Sequence, residues 1–291
     1  SETRKLIHTT PDPVTLHAAL AELAAEGIQA VAVEASSHGL VQHRMDGVEL
    51  TAAAFTNITR DHMDYHETFE DYAYAKMRLF GEVLPPGGTV VLNADAPLSK
   101  EIAAVAWARA QKVISVGFEG TSLKLEKLTP TAHGQNLTVL HKGQSHDIAL
   151  PLVGDFQASN ALVAVGLVAA TGAPVDRALA ALSSLEGAAG RLEMMGTSKT
   201  GAAAYVDYAH TPDALETAIP ALRPHTAGRL VVVFGCGGDR DAGKRPQMGE
   251  IAVRLADAAI VTDDNPRSED AATIRAEIMA AAPGARDIGD R

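Results

Sequence analysis

Apolar positions in the first two thirds of the chain fall into short runs separated by longer amphipathic stretches. The runs Ala30-Val-Ala-Val-Glu34, Ala52 to Ile58, Thr89 to Asn93 and Val113 to Val116 read as buried strands. The stretches 15–26, 69–84 and 102–110 have helical spacing, with Gly27 stopping the first and Pro85-Pro-Gly-Gly88 the second. Strands alternating with helices in this way predict a parallel sheet covered by helices. From Ser122 to Val153 the pattern changes to polar–apolar alternation with turn pairs at His133-Gly134 and Lys142-Gly143, which predicts an antiparallel appendage. Helices are expected over 158–170 and 176–185. A second α/β pattern begins near Arg191, with strands at 203–207, 230–234 and 259–262 and helices at 212–222, 246–256 and 271–282. The chain then ends after a helix, with no closing strand expected. Glycines cluster at 185–190, so one domain is expected over 1–189 and a second over 190–291. No internal repeat is visible.

The 291-residue length agrees with two domains. Hydrophobic residues at 46% and charged residues at 21% allow a sizeable core and exclude a disordered or collagen-like chain. The longest uncharged apolar stretch, Ala161 to Ala173, is broken by glycines and a threonine and is too short to cross a bilayer. No basic start precedes an apolar run, so no signal peptide is expected. A single cysteine forms no internal disulfide, which points to a reducing cytoplasm. The net charge of −11 argues against a nucleic-acid surface. Anionic ligands must therefore be met by a few placed arginines and lysines. The start without methionine suggests a piece of a longer protein.

Ligands of open parallel sheets bind beyond the carboxyl ends of the strands, so the segments following each strand carry the candidate chemistry. The first is Glu34-Ala-Ser-Ser-His-Gly-Leu-Val-Gln-His-Arg44. A carboxylate at a buried strand end needs a cation, a metal or solvent, and either a ligand site or a loop with its glutamate in water satisfies that. The second, Asn57-Ile-Thr-Arg-Asp-His-Met-Asp-Tyr-His66, holds two histidines and two aspartates that suit a divalent ion or, for the acids, a helix cap. Lys76 on the next helix reads by itself as a solvated lysine. Asn160 is expected in a first helical turn, where it either contacts a planar base or supports the cap. Asp207-Tyr-Ala-His-Thr-Pro-Asp213 joins a strand to a helix whose Pro212 suits the first turn. Gly235-Cys-Gly-Gly-Asp-Arg-Asp-Ala-Gly-Lys-Arg-Pro246 is the most anion-friendly stretch, with freed backbone N–H groups and Arg240, Lys244 and Arg245 ahead of a helix. Cys236 within it reads as a packing residue rather than a nucleophile. Asp263-Asp-Asn-Pro-Arg-Ser268 suits either a ligand bearing ammonium and carboxylate groups or an Asn-Pro turn. The G-x-x-x-x-G-K-[ST] phosphate loop is absent from the chain.

Taken in order, these segments resemble the bacterial Mur ligases. The resemblance adds His8-Thr-Thr10, Tyr74-Ala-Lys76, Gly190-Arg-Leu-Glu193 and Val206-Asp-Tyr-Ala-His-Thr-Pro-Asp-Ala-Leu215, and it covers nearly the whole chain. It implies the later part of a central ATPase domain followed by most of a Rossmann-like C-terminal domain, with the phosphate loop upstream. It further implies a cytoplasmic, monomeric ligase that uses ATP and Mg²⁺ to join meso-diaminopimelate to UDP-MurNAc-L-Ala-D-Glu through an acyl phosphate. By the same resemblance, Glu34 and His62 are Mg²⁺ ligands together with Lys76 as a carbamate, an anionic oxygen donor suited to a hard cation. Thr9, Thr10, Ser36, Gln42 and Arg44 match the contacts to the muramoyl dipeptide. Asn160, Arg191, Asp207 and His210 match positions near the nucleotide, and Arg240, Asp264, Asn265 and Arg267 those that select diaminopimelate. Alternatives are a sister ligase adding lysine or extending folate with glutamate, a non-catalytic piece that only binds ligand, and a metal-dependent hydrolase built on His62 and His66.

Overall fold

The computed structural model describes residues 8–59, 62, 63 and 65–290. Asp61 and Asp64 of the expected metal-binding segment lie outside the described residues, as does Arg60. Contacts group the chain into two compact units, one of residues up to 126 with 138–146 and 159–180, the other of 127–137, 147–158 and the residues from 181 on.

Helix α1 (Pro13–Ala25) starts where Asp12 accepts the amides of Val14 and Thr15, with Pro13 in the first turn. Gly27, at φ +80°, ends it. The run expected as a strand at 30–34 has no ladder partner among the described residues and is not a strand, and Val31 is exposed. An apolar run satisfies the pattern of a buried strand, but a strand needs a ladder partner. Here Thr10 supplies the bonds instead, its Oγ1 donating to the Glu34 carbonyl at 2.7 Å and accepting the Ser36 amide at 2.9 Å. Ser36 then caps a short helix, α2 (Ser37–Val41), in a segment expected to be a loop.

Strand β1 (Ala52–Phe55) is followed by α3 (Phe69–Arg78), capped by Thr68. The helix expected to run to 84 changes to a π-type turn over Leu79–Val83. Buried Gln111 holds its end, donating to the carbonyls of Phe80 and Leu84, both at 3.0 Å. Fully buried β2 (Thr89–Asn93), α4 (Ser99–Ala108) and β3 (Lys112–Gly117) complete the alternation. Strands β4 (Leu123–Thr131), β5 (Gly134–His141) and β6 (Gln144–Leu150) extend the sheet in the order β1-β2-β3-β4-β5-β6. Neighbours from β1 to β4 are parallel. The tight connections after β4 and β5 permit only antiparallel pairing. Lys142 (φ +48°) and Gly143 (φ +81°) form the second of these turns as expected. The first falls one residue early, because Gly134 already sits in β5, where a Cβ would collide with the Leu150 carbonyl. Helices α5 (Asp155–Ala170) and α6 (Val175–Ala181) follow, and Gly166 lets α5 approach Val91 of the sheet. Leu40, Phe80, Leu84, Val90 and Ala106 lie in the core of this region.

Beyond it, β7 (Glu193–Thr197) pairs antiparallel with β8 (Ala203–Val206), a ribbon of which only β8 was expected. Helix α7 (Pro212–Leu222), β9 (Val231–Phe234), α8 (Lys244–Leu255), β10 (Ala258–Thr262), α9 (Ala271–Met279) and β11 (Arg286–Ile288) complete the chain. The last three-strand sheet has the order β11-β10-β9, all parallel. Strand β11 corrects the expectation that no strand follows the final helix. It is too short and too polar to register as an apolar run, and Arg275 of α9 fixes it by donating to Asp287 at 2.6 Å. Met248, Ala252, Val261 and Ile278 form the fully buried centre here. Among the described residues no helix is long and apolar enough to cross a membrane.

Candidate functional site

In the first unit the polar residues after segment 30–34 gather around Thr10, which is fully buried. Arg44 Nη1 donates to the Thr10 carbonyl at 2.8 Å, and its Nε and Nη2 donate to Gln42 Oε1 at 3.0 and 2.5 Å. Gln42 Nε2 in turn donates to the Tyr65 hydroxyl at 3.0 Å. Gly39 makes the arrangement possible, since a Cβ there would lie 2.7 Å from Thr10 Cβ. Thr10, Ser36, Gln42 and Arg44 are therefore brought together, with exposed Thr9 beside them.

Beside this group lies a cluster of rings. His38 stacks on Tyr65 with centroids 3.9 Å apart and meets His62 edge-on at 5.0 Å. Tyr72 faces both His62, at 5.9 Å, and His66, at 5.3 Å. Lys76 Nζ sits 5.8 Å above the same Tyr72 ring and donates to the Ala35 carbonyl at 3.4 Å. His62 and Lys76 thus share one neighbour, and Lys76 reaches the residue next to Glu34. His62 itself has φ +57°, a strained conformation of the sort that concentrates at functional positions. Glu34 is exposed, so its carboxylate meets the requirement for stabilisation through solvent. His66 is buried, with Nε2 3.0 Å from Ser37 Oγ, which makes it part of the packing. Among the described residues no three His, Cys, Asp or Glu side chains form a ready metal cage. The donor set of Glu34, His62 and Lys76 suits a hard cation only with Lys76 as an anionic carbamate, because an ammonium repels a cation and has no lone pair to offer.

Behind this surface, Arg78 anchors α3. It donates to both Asp46 oxygens at 2.9 and 3.0 Å, to Glu82 at 2.7 Å and to the Leu40 carbonyl. Burial pushes the Asp46 carboxyl up, but bonds from Arg78 and His43 outweigh it and leave the group below its ordinary range.

Asn160 is exposed in the second turn of α5, not the first, because the helix starts at Asp155. In the second unit Arg191, Asp207 and His210 come together around Tyr208. The Arg191 guanidinium lies 5.9 Å from the Tyr208 ring centre, and His210 lies 4.9 Å from it. Asp207 organises the backbone, accepting the amides of Leu192 and Ala209, both at 2.8 Å.

The glycine-rich segment after β9 is where the structure departs furthest from expectation. Its glycines let two loops touch, and the Gly238 amide is spent on that contact. A Cβ at Gly235 would collide with the Thr262 carbonyl and one at Gly238 with the Pro266 carbonyl, while Gly238 N donates to Asn265 O at 3.0 Å. Nor are all three cations available to an anion. Lys244 Nζ donates to the His210 carbonyl at 2.8 Å. Arg245 is buried within α8, which starts two residues earlier than expected, and pairs with Glu269 and Glu277, both at 2.8 Å. Only Arg240 of the three is exposed without a side-chain hydrogen bond among the described residues. Arg267 Nη1 donates to the Gly238 carbonyl at 2.6 Å, which places the two candidate selecting arginines on touching loops with Asp264 and Asn265. Cys236 is buried with Sγ 3.6 Å from Met248 Sδ, and burial pushes its thiol pKa up, as a packing residue requires.

Sequence reasoning missed Tyr65 and Tyr72 as organisers, and Glu269 and Glu277 as partners of Arg245. The sequence offered no signal for the latter, because Arg245 was expected ahead of the helix and only the structure places it in the first turn.

Two groupings thus stand on an α/β framework: a ring-lined polar cluster that follows segment 30–34, and a pair of touching loops that carry Arg240 and Arg267. Residues 2–168 match the Mur ligase middle domain and residues 190–291 the family described as Mur ligase, glutamate ligase domain. The chain belongs to the Mur ligase family. It is 59% identical over 283 residues to the UDP-N-acetylmuramoyl-L-alanyl-D-glutamate–2,6-diaminopimelate ligase of Agrobacterium fabrum, covering 97% of this chain and 58% of that protein. The ligase of the same name from Caulobacter vibrioides is 57% identical over the same shares. A solved structure of a ligase of that name superposes with a TM-score of 0.73 at 33% identity, over 99% of this chain and 60% of that one. A folylpolyglutamate synthase from Mycobacterium tuberculosis, at 22% identity and a TM-score of 0.64, shares the fold. The chain thus spans less than two thirds of the length of these relatives.

Proposed function

We propose that the full-length protein containing this chain is a cytoplasmic, monomeric ligase that adds meso-diaminopimelate to UDP-MurNAc-L-Ala-D-Glu, with ATP going to ADP and phosphate. A carboxylate is a poor electrophile, so it is first phosphorylated; the amine then attacks the acyl phosphate and phosphate leaves. Residues 1–189 act as the ATP and UDP-substrate domain and 190–291 as the amino-acid domain. Thr9, Thr10, Ser36, Gln42 and Arg44 hold the muramoyl dipeptide. Asn160 contacts the adenine, and Arg191, Asp207 and His210 shape the nucleotide side of the second domain. Glu34, His62 and carbamylated Lys76 hold Mg²⁺, which when bound neutralises the phosphate and carboxylate oxygens. Arg240, Asp264, Asn265 and Arg267 read the amino acid: the guanidinium groups meet its distal carboxylate, and the acid meets its ammonium.

The observation that carries the choice of amino acid is the contact between the Arg267 loop and the Arg240 loop, two cations where lysine would offer no second carboxylate. The likeness to the diaminopimelate ligases supports it. Phosphate release by the full-length protein, given UDP-MurNAc-L-Ala-D-Glu and ATP, tests the reading. Turnover with meso-diaminopimelate and not with L-lysine is expected, and the reverse preference would overturn it.

A further inference from the structure

Arg245 is the largest fully buried side chain among the described residues, at 1% exposed. Its surroundings make little sense as stability alone. A buried guanidinium is costly even when paired, and apolar residues of similar size often serve stability as well or better. Among the described residues its Nε is buried without a hydrogen-bond partner, and it lies in the first turn of α8. What it does is hold Glu269. Glu269 Oε1 accepts Arg245 Nη2 at 2.8 Å and the Asp239 amide at 2.5 Å. Asp239 in turn accepts the Ser268 amide at 3.1 Å and the Ser268 hydroxyl at 2.6 Å. The chain of bonds closes on itself and pins the loop carrying Arg240 to the loop carrying Arg267. Asp239 and Arg267, on either side of the seam, both have φ +51°. Non-glycine residues keep such a conformation only when their surroundings over-determine it.

We propose that Arg245 is a positioning residue for amino-acid selection: through Glu269 it locks the two loops so that Arg240 and Arg267 present their guanidinium groups at one fixed separation. This rests on the reading of those arginines as the amino-acid contacts. A ligand read by two guanidinium groups loses more from a loose spacing than from a small loss of stability.

The test uses the full-length ligase with Glu269→Gln, Arg245→Lys, Glu277→Gln and Arg267→Ala, measuring KM for each substrate and the thermal midpoint. Glu269→Gln and Arg245→Lys are expected to raise KM for meso-diaminopimelate about 10-fold or more and to leave KM for ATP within about twofold. Glu277 bonds the same guanidinium but, among the described residues, makes no bond to the Asp239 loop. Glu277→Gln is therefore expected to lower the midpoint without moving the diaminopimelate KM. An equal rise in KM for Glu277→Gln and Glu269→Gln would reduce Arg245 to a structural residue and overturn the proposal. So would an unchanged KM in Glu269→Gln while Arg267→Ala raises it, an outcome that leaves the amino-acid reading intact. No change in Arg267→Ala would remove the reading and the proposal together.

Discussion

The two candidate sites are built on opposite principles. In the first unit, side chains hold the segment around Glu34, which has no ladder partner among the described residues, by its carbonyls: Thr10 at Glu34 and Lys76 at Ala35, with Arg44 holding the Thr10 carbonyl in turn. On the proposed reading, the exposed glutamate and the lysine become a donor set for a cation only once the lysine is carbamylated. In the second unit, two loops are joined by amide, hydroxyl and carboxylate bonds and backed by a buried ion pair. Chemistry that recruits a cofactor tolerates an incomplete site, because the ligand finishes the assembly. Discrimination between two similar amino acids needs a site that is finished beforehand.

The contrast breaks most sharply at Lys76. In the full-length enzyme, Lys76→Ala is expected to lower kcat about 100-fold or more. Lys76→Arg distinguishes the reason. Arginine keeps the charge but forms no carbamate under these conditions, so a loss as large as that of alanine indicates an oxygen ligand. Near-normal turnover of Lys76→Arg would show that a cation suffices and that the first site is already complete.

Arg267→Ala comes next. Arg267 is exposed in the unliganded chain. Loss of a guanidinium that pairs with a carboxylate once the bound amino acid covers it costs about 2–5 kcal/mol, so KM for meso-diaminopimelate is expected to rise about 30-fold or more, with KM for ATP nearly unchanged. Equal effects on both substrates would remove the selecting role of the second site.

Much of this was legible in the sequence, and the exceptions share a cause. Periodicity located β2, α7, β9 and the Lys142-Gly143 turn because each is decided by local pattern. The run 30–34 misled because strand pairing is a relation between segments, and no local signal carries it. The glycines of 235–238 looked like an anion cradle because sequence shows which residues lack a Cβ but not what approaches them. Arg245 looked like ligand-binding charge for the same reason, since Glu269 and Glu277 come from α9 and the loop before it. At the first site a cation was one of the open readings for Glu34 and for the His62 segment, and Lys76 joined them only through resemblance; by itself the lysine looks like any solvated helix residue.

A third way to test the contrast is steric. Gly238→Ala sets a Cβ against the backbone of Pro266, and backbone yields little, so a cost of about 1–3 kcal/mol is expected. Gly39→Ala meets the Thr10 side chain instead, at 2.7 Å. If the first site is the adaptable one, Gly39→Ala costs less in urea unfolding than Gly238→Ala. The opposite order would mean that the Thr10 cluster is the more rigid of the two.

The smallest effect is that of acid. Bonds from Arg245 and from the Asp239 amide hold the Glu269 carboxyl below its ordinary range, and Ser268 does the same for Asp239. A carboxylate with a lowered pKa in the folded state adds stability above its unfolded pKa, about 4, and that stability is lost as pH falls through the folded value. Asp46 obeys the same rule in the first unit, so acid loosens both regions. The readouts that separate them are amide exchange at Asp239 and Ser268 for one region and at Val48 for the other, measured from pH 6 downward in the full-length protein. Glu269→Gln is expected to flatten the pH dependence at Asp239 and Ser268 and leave that at Val48 alone, whereas Asp46→Asn does the reverse. If Glu269→Gln leaves the dependence at Asp239 unaltered, the carboxylate does not hold the seam and the second site is no more closed than the first.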